Sequence, residues 1–171
     1  MCIRDSDSDN PQPPACFAHG QGNSAGFTPV ANSPAAESKA CKSCPNNEWG
    51  TATTGKGKAC GEVRYVAVQL PEQTKPDDPI YTVRVTSSQL KSFDGYVKQI
   101  TGRTGLLPLS FVSSIVPVQA GSAFTATFKV KEENPDVETF WDHAKNALPL
   151  LMEEPDFSGY TAPKPSRRRK A

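Results

Sequence analysis

Residues 80–100 read IYTVRVTSSQLKSFDGYVKQI, and the apolar period changes within this stretch. From residue 80 to 86, apolar and polar residues alternate, which is typical of a half-buried strand. From residue 90 to 100, apolar residues recur at spacings of 3, 4 and 3, which predicts one apolar face of a helix. The apolar positions of the two elements are, in order, Tyr81, Val83, Val85, Leu90, Phe93, Val97 and Ile100.

Further elements flank this stretch on both sides. Strands are predicted at residues 63–70, 107–118 and 124–130. Asn134 and Pro135 are the residue types of a helix N-cap and first helical position, so they predict a second helix. Strands outnumber helices, and we therefore expect a β-rich α+β domain. It would form a small barrel or a strongly curved antiparallel sheet with two helices.

Large apolar residues are scarce in the first third of the chain. Residues 7–62 contain four of Val, Ile, Leu, Met, Phe, Tyr and Trp, whereas residues 63–131 contain 25. The first segment therefore lacks the material for a hydrophobic core and needs another source of stability. Besides residues 1–6, we predict a loop-rich segment at 7–62, a core domain at 63–152 and a disordered basic tail at 153–171.

Four cysteines in the loop-rich segment form the strongest motif of the sequence. Cys41 and Cys44 make a C-x2-C pair, and Cys16 and Cys60 lie on either side. Four thiolates suit tetrahedral Zn²⁺, and metal binding supplies folding free energy to a segment without a core. We predict a structural zinc site with these four ligands in a zinc-ribbon-like segment, where His19 is a candidate replacement for one cysteine. The alternatives are two disulfides, a redox pair and unrelated buried thiols.

The first six residues, Met-Cys-Ile-Arg-Asp-Ser, read as the translation of a transposase adapter from short-read sequencing. On this interpretation Cys2 is not native, and the cysteine count falls from five to four. The native start would then lie further upstream. We leave these residues out of the fold assignment, as a cloning scar would be.

Charge is divided along the chain. Residues 39–131 carry 12 Lys or Arg against 6 Asp or Glu, and residues 132–156 carry 8 acids against one lysine. The basic body favours a polyanionic partner. The acidic stretch around Phe140 and Trp141 is a candidate docking surface. The basic residues of 164–171 are expected either to fold back on these acids when no polyanion is bound, or only to solubilise the end.

Other functional classes have little support in the sequence. Residues 50–57 match the front of a Walker A loop, but Gly57 replaces the Mg²⁺-binding Ser or Thr, and no strand precedes the motif. No set of residues has the spacing of a catalytic site, and a metalloenzyme needs an open metal position, so we predict a protein that is not an enzyme. No apolar run approaches the roughly 18 residues of a membrane helix, which excludes an integral membrane protein.

The cysteine block resembles a group of tailed-bacteriophage proteins. The resemblance rests on residues 13–17 (PPACF), 41–50 (CKSCPNNEWG) and 55–60 (GKGKAC). In outline the chain is also similar to phage single-stranded-DNA-binding proteins, which have an OB-type barrel with a zinc-stabilised insertion. The resemblance implies an OB-like barrel, single-stranded DNA or RNA as ligand, phage replication or recombination proteins as partners, and a location in the host cytoplasm. One departure is that the end of this chain is basic, whereas such proteins often end in an acidic tail.

Single strands bind to basic grooves that also offer aromatic faces on which bases stack. The candidate nucleic-acid contacts are Lys56, Lys58, Arg64, Arg84, Lys91, Lys98 and Trp49. Trp49 is either an exposed stacking residue or a residue packed against the zinc knuckle. We therefore expect a single-stranded nucleic-acid-binding protein with a structural zinc site. The alternative is a zinc-stabilised protein-interaction or structural module that does not bind nucleic acid.

Overall fold

The computed structural model describes residues 2–4, 13–20, 26–52, 55–121 and 123–161. The chain divides into two compact units. We call Met1–Glu62 with Glu154–Ala171 the cysteine unit, and Val63–Glu153 the strand–helix unit. The described ranges contain seven strands and two α-helices, so the predicted α+β class is confirmed.

The cysteine unit contains a small antiparallel sheet. Its strands are β1 (Cys2–Arg4), β2 (Cys16–Ala18) and β3 (Gly61–Glu62), and β1 is the central strand. Both neighbours pair with β1 in antiparallel register. The residues that the sequence assigns to an adapter therefore include the central strand of this sheet.

A small buried cluster accompanies the sheet. Ala18, Phe27 and Cys41 are buried together, and Cys60 packs against them. The Phe27 ring lies so close to Gly20 that a Cβ there would be 2.7 Å from ring atom Cε1. The expectation that this segment has no core is therefore wrong in part. The cluster is small, and Cys41 and Cys60 are two of its four members.

The strand–helix unit contains two separate two-stranded sheets. β4 (Arg64–Val68) pairs with β5 (Tyr81–Val85), and β6 (Phe111–Ala120) pairs with β7 (Ala123–Glu133), both antiparallel. Among the described strands no pairing joins β5 to β6, and no sheet closes into a barrel. The predicted OB-like barrel is therefore not found. Each described pairing in this unit joins strands that are consecutive in the chain, and none closes the two sheets onto each other.

The sequence favours Ser87 or Ser88 as the N-cap of the first helix and Gly102 as its end, whereas helix α1 spans Ser87–Thr104. Thr86 is the N-cap, and its N–H donates to Gln89 Oε1 at 3.1 Å, as in a capping box. The helix continues past Gly102 and ends at Gly105, whose φ of +69° is the left-handed conformation of a C-cap. The predicted end at Gly102 is therefore wrong, because Gly105 and not Gly102 adopts the positive φ that ends the helix.

Helix α2 (Val137–Leu151) starts later than predicted, because Asn134 makes a turn instead of capping the helix. Its Oδ1 accepts the Asp136 N–H at 3.0 Å, and its Nδ2 donates to Leu109 O at 3.0 Å. Helix α1 packs mainly on β7, and α2 packs on β4. In the part of the chain that the structure describes, neither helix has an apolar stretch long enough to cross a bilayer.

The core of the strand–helix unit forms where the helices meet the strands. The Phe93 and Phe128 rings pack edge to face with centroids 5.1 Å apart, which joins α1 to β7. Val85 on β5 is fully buried, and Phe140 on α2 is nearly so. His143 is buried beside Phe140, and its Nδ1 lies 3.2 Å from Gln69 Oε1. This pairing gives His143 a structural role in the core.

Candidate metal centre and nucleic-acid surface

The four predicted zinc ligands line one small cavity in the cysteine unit. Cys16, Cys41, Cys44 and Cys60 all contribute to its wall, and the cavity encloses about 10 Å³. The wall is completed by Ala18, Pro29, Glu37 and Ser38. A cavity of this size admits a single small occupant such as an ion. The fold therefore brings together thiols from three separate parts of the sequence.

The C-x2-C pair is shaped by a short 3₁₀ turn at Cys41–Ser43. The Cys44 N–H donates to Cys41 O at 3.3 Å, which closes the turn. The Cys41 N–H donates to Phe27 O at 2.9 Å, and Asn47 Nδ2 donates to Cys41 O at 2.9 Å. Hydrogen bonds therefore hold both the N–H and the C=O of Cys41 in place without a metal.

The structure contains no disulfide at Cys16, Cys41, Cys44 or Cys60. In the described ranges, no three His, Cys, Asp or Glu side chains are arranged as a metal-binding group. The thiols thus share a cavity without the close approach that ligation requires. The zinc site stays a prediction, and the shared cavity is its structural support.

His19 does not line the cysteine cavity. Its ring packs edge-on against Phe17 with centroids 5.6 Å apart, and its Nε2 lies 3.9 Å from Glu154 Oε1. Its Nδ1 is buried and has no hydrogen-bond partner among the described residues. The four cysteines therefore remain the candidate ligands.

The glycine-rich segment after the C-x2-C pair closes on itself. The Gly50 N–H donates to Gly57 O at 2.7 Å, and the Gly55 N–H donates to Ala52 O at 2.8 Å. Gly50 and Gly57 have φ of +90° and +98°, which favours glycine at both positions. These N–H groups are used inside the loop, whereas a Walker A loop directs them at phosphate. The geometry agrees with the sequence argument against a nucleotide site.

Trp49 lies immediately before this loop and is 80 % exposed. The alternative in which it packs against the zinc knuckle is therefore wrong. The hydrogen bond between Gly50 and Gly57 brings Trp49 next to the backbone of Lys56 and Lys58, both of which are exposed. The segment between Cys44 and Cys60 thus presents one exposed indole beside two lysines.

Asn46 and Asn47 are residues of this site for which the sequence predicted no role. The Cys60 N–H donates to Asn46 O at 2.8 Å. Asn47 holds Cys41 through its Nδ2, and its Oδ1 accepts from Lys58 Nζ at 3.1 Å. Both asparagines therefore tie the C-x2-C turn to the chain around Cys60. Asn47 was the available signal, because Asn side chains commonly bond nearby backbone, whereas Asn46 acts through its backbone carbonyl.

The predicted arginine contacts lie in the strand–helix unit and are not equivalent. Both guanidinium nitrogens of Arg64 donate to the carboxylate of Asp94 on α1. Arg84 is exposed and stands opposite Tyr65 in the β4–β5 register, so it points to the other face of that sheet from Arg64. The two arginines therefore cannot line one surface, and Arg64 is already paired.

Lys91 and Lys98 share one face of α1, because seven residues are two helical turns. Both are exposed. Arg103 is also exposed, but it comes five residues after Lys98 and lies about 140° around the helix from it. Asp94 is the acidic residue of this helix, and Arg64 neutralises it. The outer face of α1 is therefore basic. The predicted fold-back of the tail concerns residues 164–171, which lie outside the described residues.

Comparison of the chain with protein-family models, with curated proteins and with solved structures finds no match. The geometry and chemistry of the described residues therefore carry the functional argument. Two features stand out within the cysteine unit. One is the cavity lined by four thiols, and the other is the exposed indole with its two lysines.

Proposed function

We propose that the protein binds single-stranded nucleic acid through the segment between Cys44 and Cys60, supported by a structural zinc ion. The observation that carries this proposal is the exposure of Trp49 beside Lys56 and Lys58. A tryptophan that is 80 % exposed contributes little to the stability of its own fold. Its large flat ring is available to a ligand instead.

The chemistry of this segment matches what single strands require. Unpaired bases stack on an aromatic face regardless of sequence, and lysines contact the phosphates beside them. Duplex DNA keeps its bases stacked inside and offers an isolated indole no such partner. A stacking residue flanked by cations therefore favours single strands over duplex.

The zinc ion would stabilise the fold and would not take part in catalysis. Asn46 and Asn47 connect the turn of Cys41 to the chain at Cys60 and Lys58. Four thiolates around the cavity would hold both ends of the Trp49 segment in place, and they leave no open coordination position for catalysis. The proposal is accordingly a binding protein and not an enzyme.

The outer face of α1 is a second basic surface. Lys91 and Lys98 lie there, and exposed Gly95 and Gly102 have no described atom within 4 Å of an added Cβ. Phosphate contacts on this face would add to the salt dependence of binding. The resemblance of the cysteine block to tailed-phage proteins favours single-stranded DNA of a phage replication or recombination system as the natural ligand.

Filter binding of an oligothymidine tests the proposal. We expect retention that falls steeply between about 50 and about 200 mM salt. Trp49→Ala should weaken binding by about 1 to 3 kcal/mol, the usual contribution of one stacked base. Lys56→Ala with Lys58→Ala should reduce the slope of log affinity against log salt by about 0.7 per lost contact.

Lys75→Ala is the matched control, because Lys75 is an exposed loop lysine of the other unit that the proposal does not use. It should leave the affinity and the slope close to those of the parent chain. Equal and negligible retention of the parent and of Trp49→Ala at low salt would overturn the proposal. So would tighter binding of duplex than of single strands.

A further inference from the structure

A groove of about 510 Å³ lies in the strand–helix unit, between the connection from α1 to β6 and the first turns of α2. Leu106 and Leu107 line it from the connection, and Val137 and Trp141 line it from α2. Its volume falls within the usual range of ligand-binding clefts. Neither the zinc site nor the nucleic-acid proposal uses any of these residues.

The walls of this groove expose an unusual amount of apolar surface. Leu106, Leu107 and Trp141 are 49 %, 50 % and 52 % exposed. Single exposed apolar residues are normal on proteins, but three large ones around one concavity are the pattern of a binding surface. Covering them would remove this apolar area from water, which is the main favourable term in association.

Hydrogen bonds hold the groove open without a ligand. Asn134 donates twice to the connection, from its N–H to Ser110 O at 2.9 Å and from Nδ2 to Leu109 O at 3.0 Å. The Leu106 N–H donates to Thr104 Oγ1 at 3.1 Å. The wall that carries the leucines is therefore fixed both to the turn before α2 and to the end of α1. A preformed groove avoids the ordering cost of binding.

The charged residues that line the groove are both acidic. They are Glu138 and Asp142, one turn apart on α2. Lys145 Nζ donates to Asp142 Oδ1 at 2.7 Å and lowers the pKa of that carboxyl. Asp142 therefore stays ionised at neutral pH. An occupant that buries the apolar walls must bring positive charge to Glu138, and its cation would share Asp142 with Lys145.

We propose that this groove binds a short peptide segment of a partner protein, in which large apolar side chains adjoin Lys or Arg. The apolar side chains would lie between the leucines and Trp141, and the cation would meet Glu138 and Asp142. An arginine over the Trp141 ring gains a cation–π contact as well. The chain's own residues 164–171 are basic but contain no large apolar side chain, so they meet only one of the two requirements.

The test uses the full chain carrying Trp49→Phe, so that Trp141 is the sole tryptophan. The probe is acetyl-Leu-Leu-Arg-Lys-amide, which has no fluorescence of its own. We expect a saturable change in Trp141 emission. The affinity should exceed by at least about tenfold that of two matched peptides, one with Glu in place of both cations and one with Ser in place of both leucines.

Three variants locate the binding. Leu107→Ser should abolish the saturable change, and Glu138→Gln should weaken binding several-fold while the far-UV circular dichroism stays unchanged. Lys145→Ala should strengthen binding, because it frees Asp142 for the peptide. Lys129→Ala, at an exposed position outside the groove, is the control and should have no effect.

Several results would overturn the proposal. One is the absence of a saturable change in the folded chain, and another is an equal response to the acidic peptide. Response of Trp141 to oligothymidine and not to peptide would assign the groove to nucleic acid. Self-association that Leu107→Ser abolishes would assign it to a second copy of the chain. Each outcome is independent of the single-strand test, because that test rests on Trp49.

Discussion

At the scale of single residues, close contacts decide roles that residue type leaves open. Gly20 lies against the ring of Phe27, and an added Cβ would be 2.7 Å from it. Phe27 belongs to the buried cluster with Ala18 and Cys41. A methyl group at residue 20 would therefore displace the largest ring of a cluster that has few other apolar members.

Gly20→Ala should lower the stability of the cysteine unit by about 1 to 3 kcal/mol, the usual cost of overpacking. Gly26→Ala is the matched control, since nothing lies within 4 Å of an added Cβ there. The measurement is amide hydrogen exchange at Cys41, whose N–H is bonded to Phe27 O. Equal protection at Cys41 in both variants would contradict the argument.

Single residues also show how much of the candidate site could be predicted from the sequence. The sequence identified the four cysteines because their spacing is a pattern within one segment, and the fold places them around one cavity. It nominated Arg64 as a nucleic-acid contact, whereas the fold pairs this residue with Asp94, 30 residues away. Charge is readable from sequence, but the partner that neutralises a charge is set by tertiary contacts.

At the scale of elements, helix α1 carries two glycines on its exposed face. Gly95 and Gly102 have nothing within 4 Å of an added Cβ, so packing within the chain does not explain them. Glycine in a helix interior costs stability because its unfolded backbone is the most free. Gly105 is different, since its φ of +69° ends the helix and disfavours any side chain.

Gly95→Ala and Gly102→Ala should each stabilise the strand–helix unit by about 0.5 to 1 kcal/mol, whereas Gly105→Ala should destabilise it by about 1 kcal/mol. Urea unfolding followed by far-UV circular dichroism measures all three. The sign difference is the test, because the three substitutions are chemically identical. Stabilisation by Gly105→Ala would show that this residue does not cap α1.

Element-scale prediction succeeded where the signal was local. Alternation at residues 80–86 and 124–130 and the spacing at 90–100 gave strands and a helix that the structure contains. The predicted end of α1 at Gly102 was wrong, because the helix continues to Thr104 and is capped by Gly105. The start of α2 was misplaced because Asn134 bonds Leu109, a residue of another element that local pattern does not reveal.

At the scale of the whole molecule, the pairing between distant strands could not be predicted from the sequence. A barrel needs hydrogen bonds between strands far apart in the chain, and alternation in one strand does not specify its neighbour. β4 and β5 pair across a loop, β6 and β7 pair across a tight turn, and no described pairing joins the two sheets. The sequence predicted the strands themselves and not which strands pair, and the predicted closure into a barrel is not found.

The stability of the cysteine unit is the remaining whole-molecule question, and we expect a structural zinc ion to contribute to it. The cluster around Phe27 is small, and a bound metal would supply folding free energy in addition to it. The thiols of the cavity form no disulfide in the structure. A structural zinc ion contributes about 10 to 16 kcal/mol in small zinc-finger peptides, which is ample for this unit.

Cys44→Ser should therefore release the metal and unfold the cysteine unit, while the strand–helix unit keeps its own core. The parent chain, purified without added zinc, should contain one zinc per chain with four sulfur ligands at about 2.3 Å by X-ray absorption.

Cys2→Ser is the matched control and should retain the metal, because Cys2 does not belong to the predicted ligand set. Hydrogen exchange should show lost protection at Cys41 in Cys44→Ser and unchanged protection at Ile100, a buried residue of α1. A folded parent chain with four reactive thiols and no bound metal would end the zinc prediction, and the support it lends to the Trp49 segment would end with it.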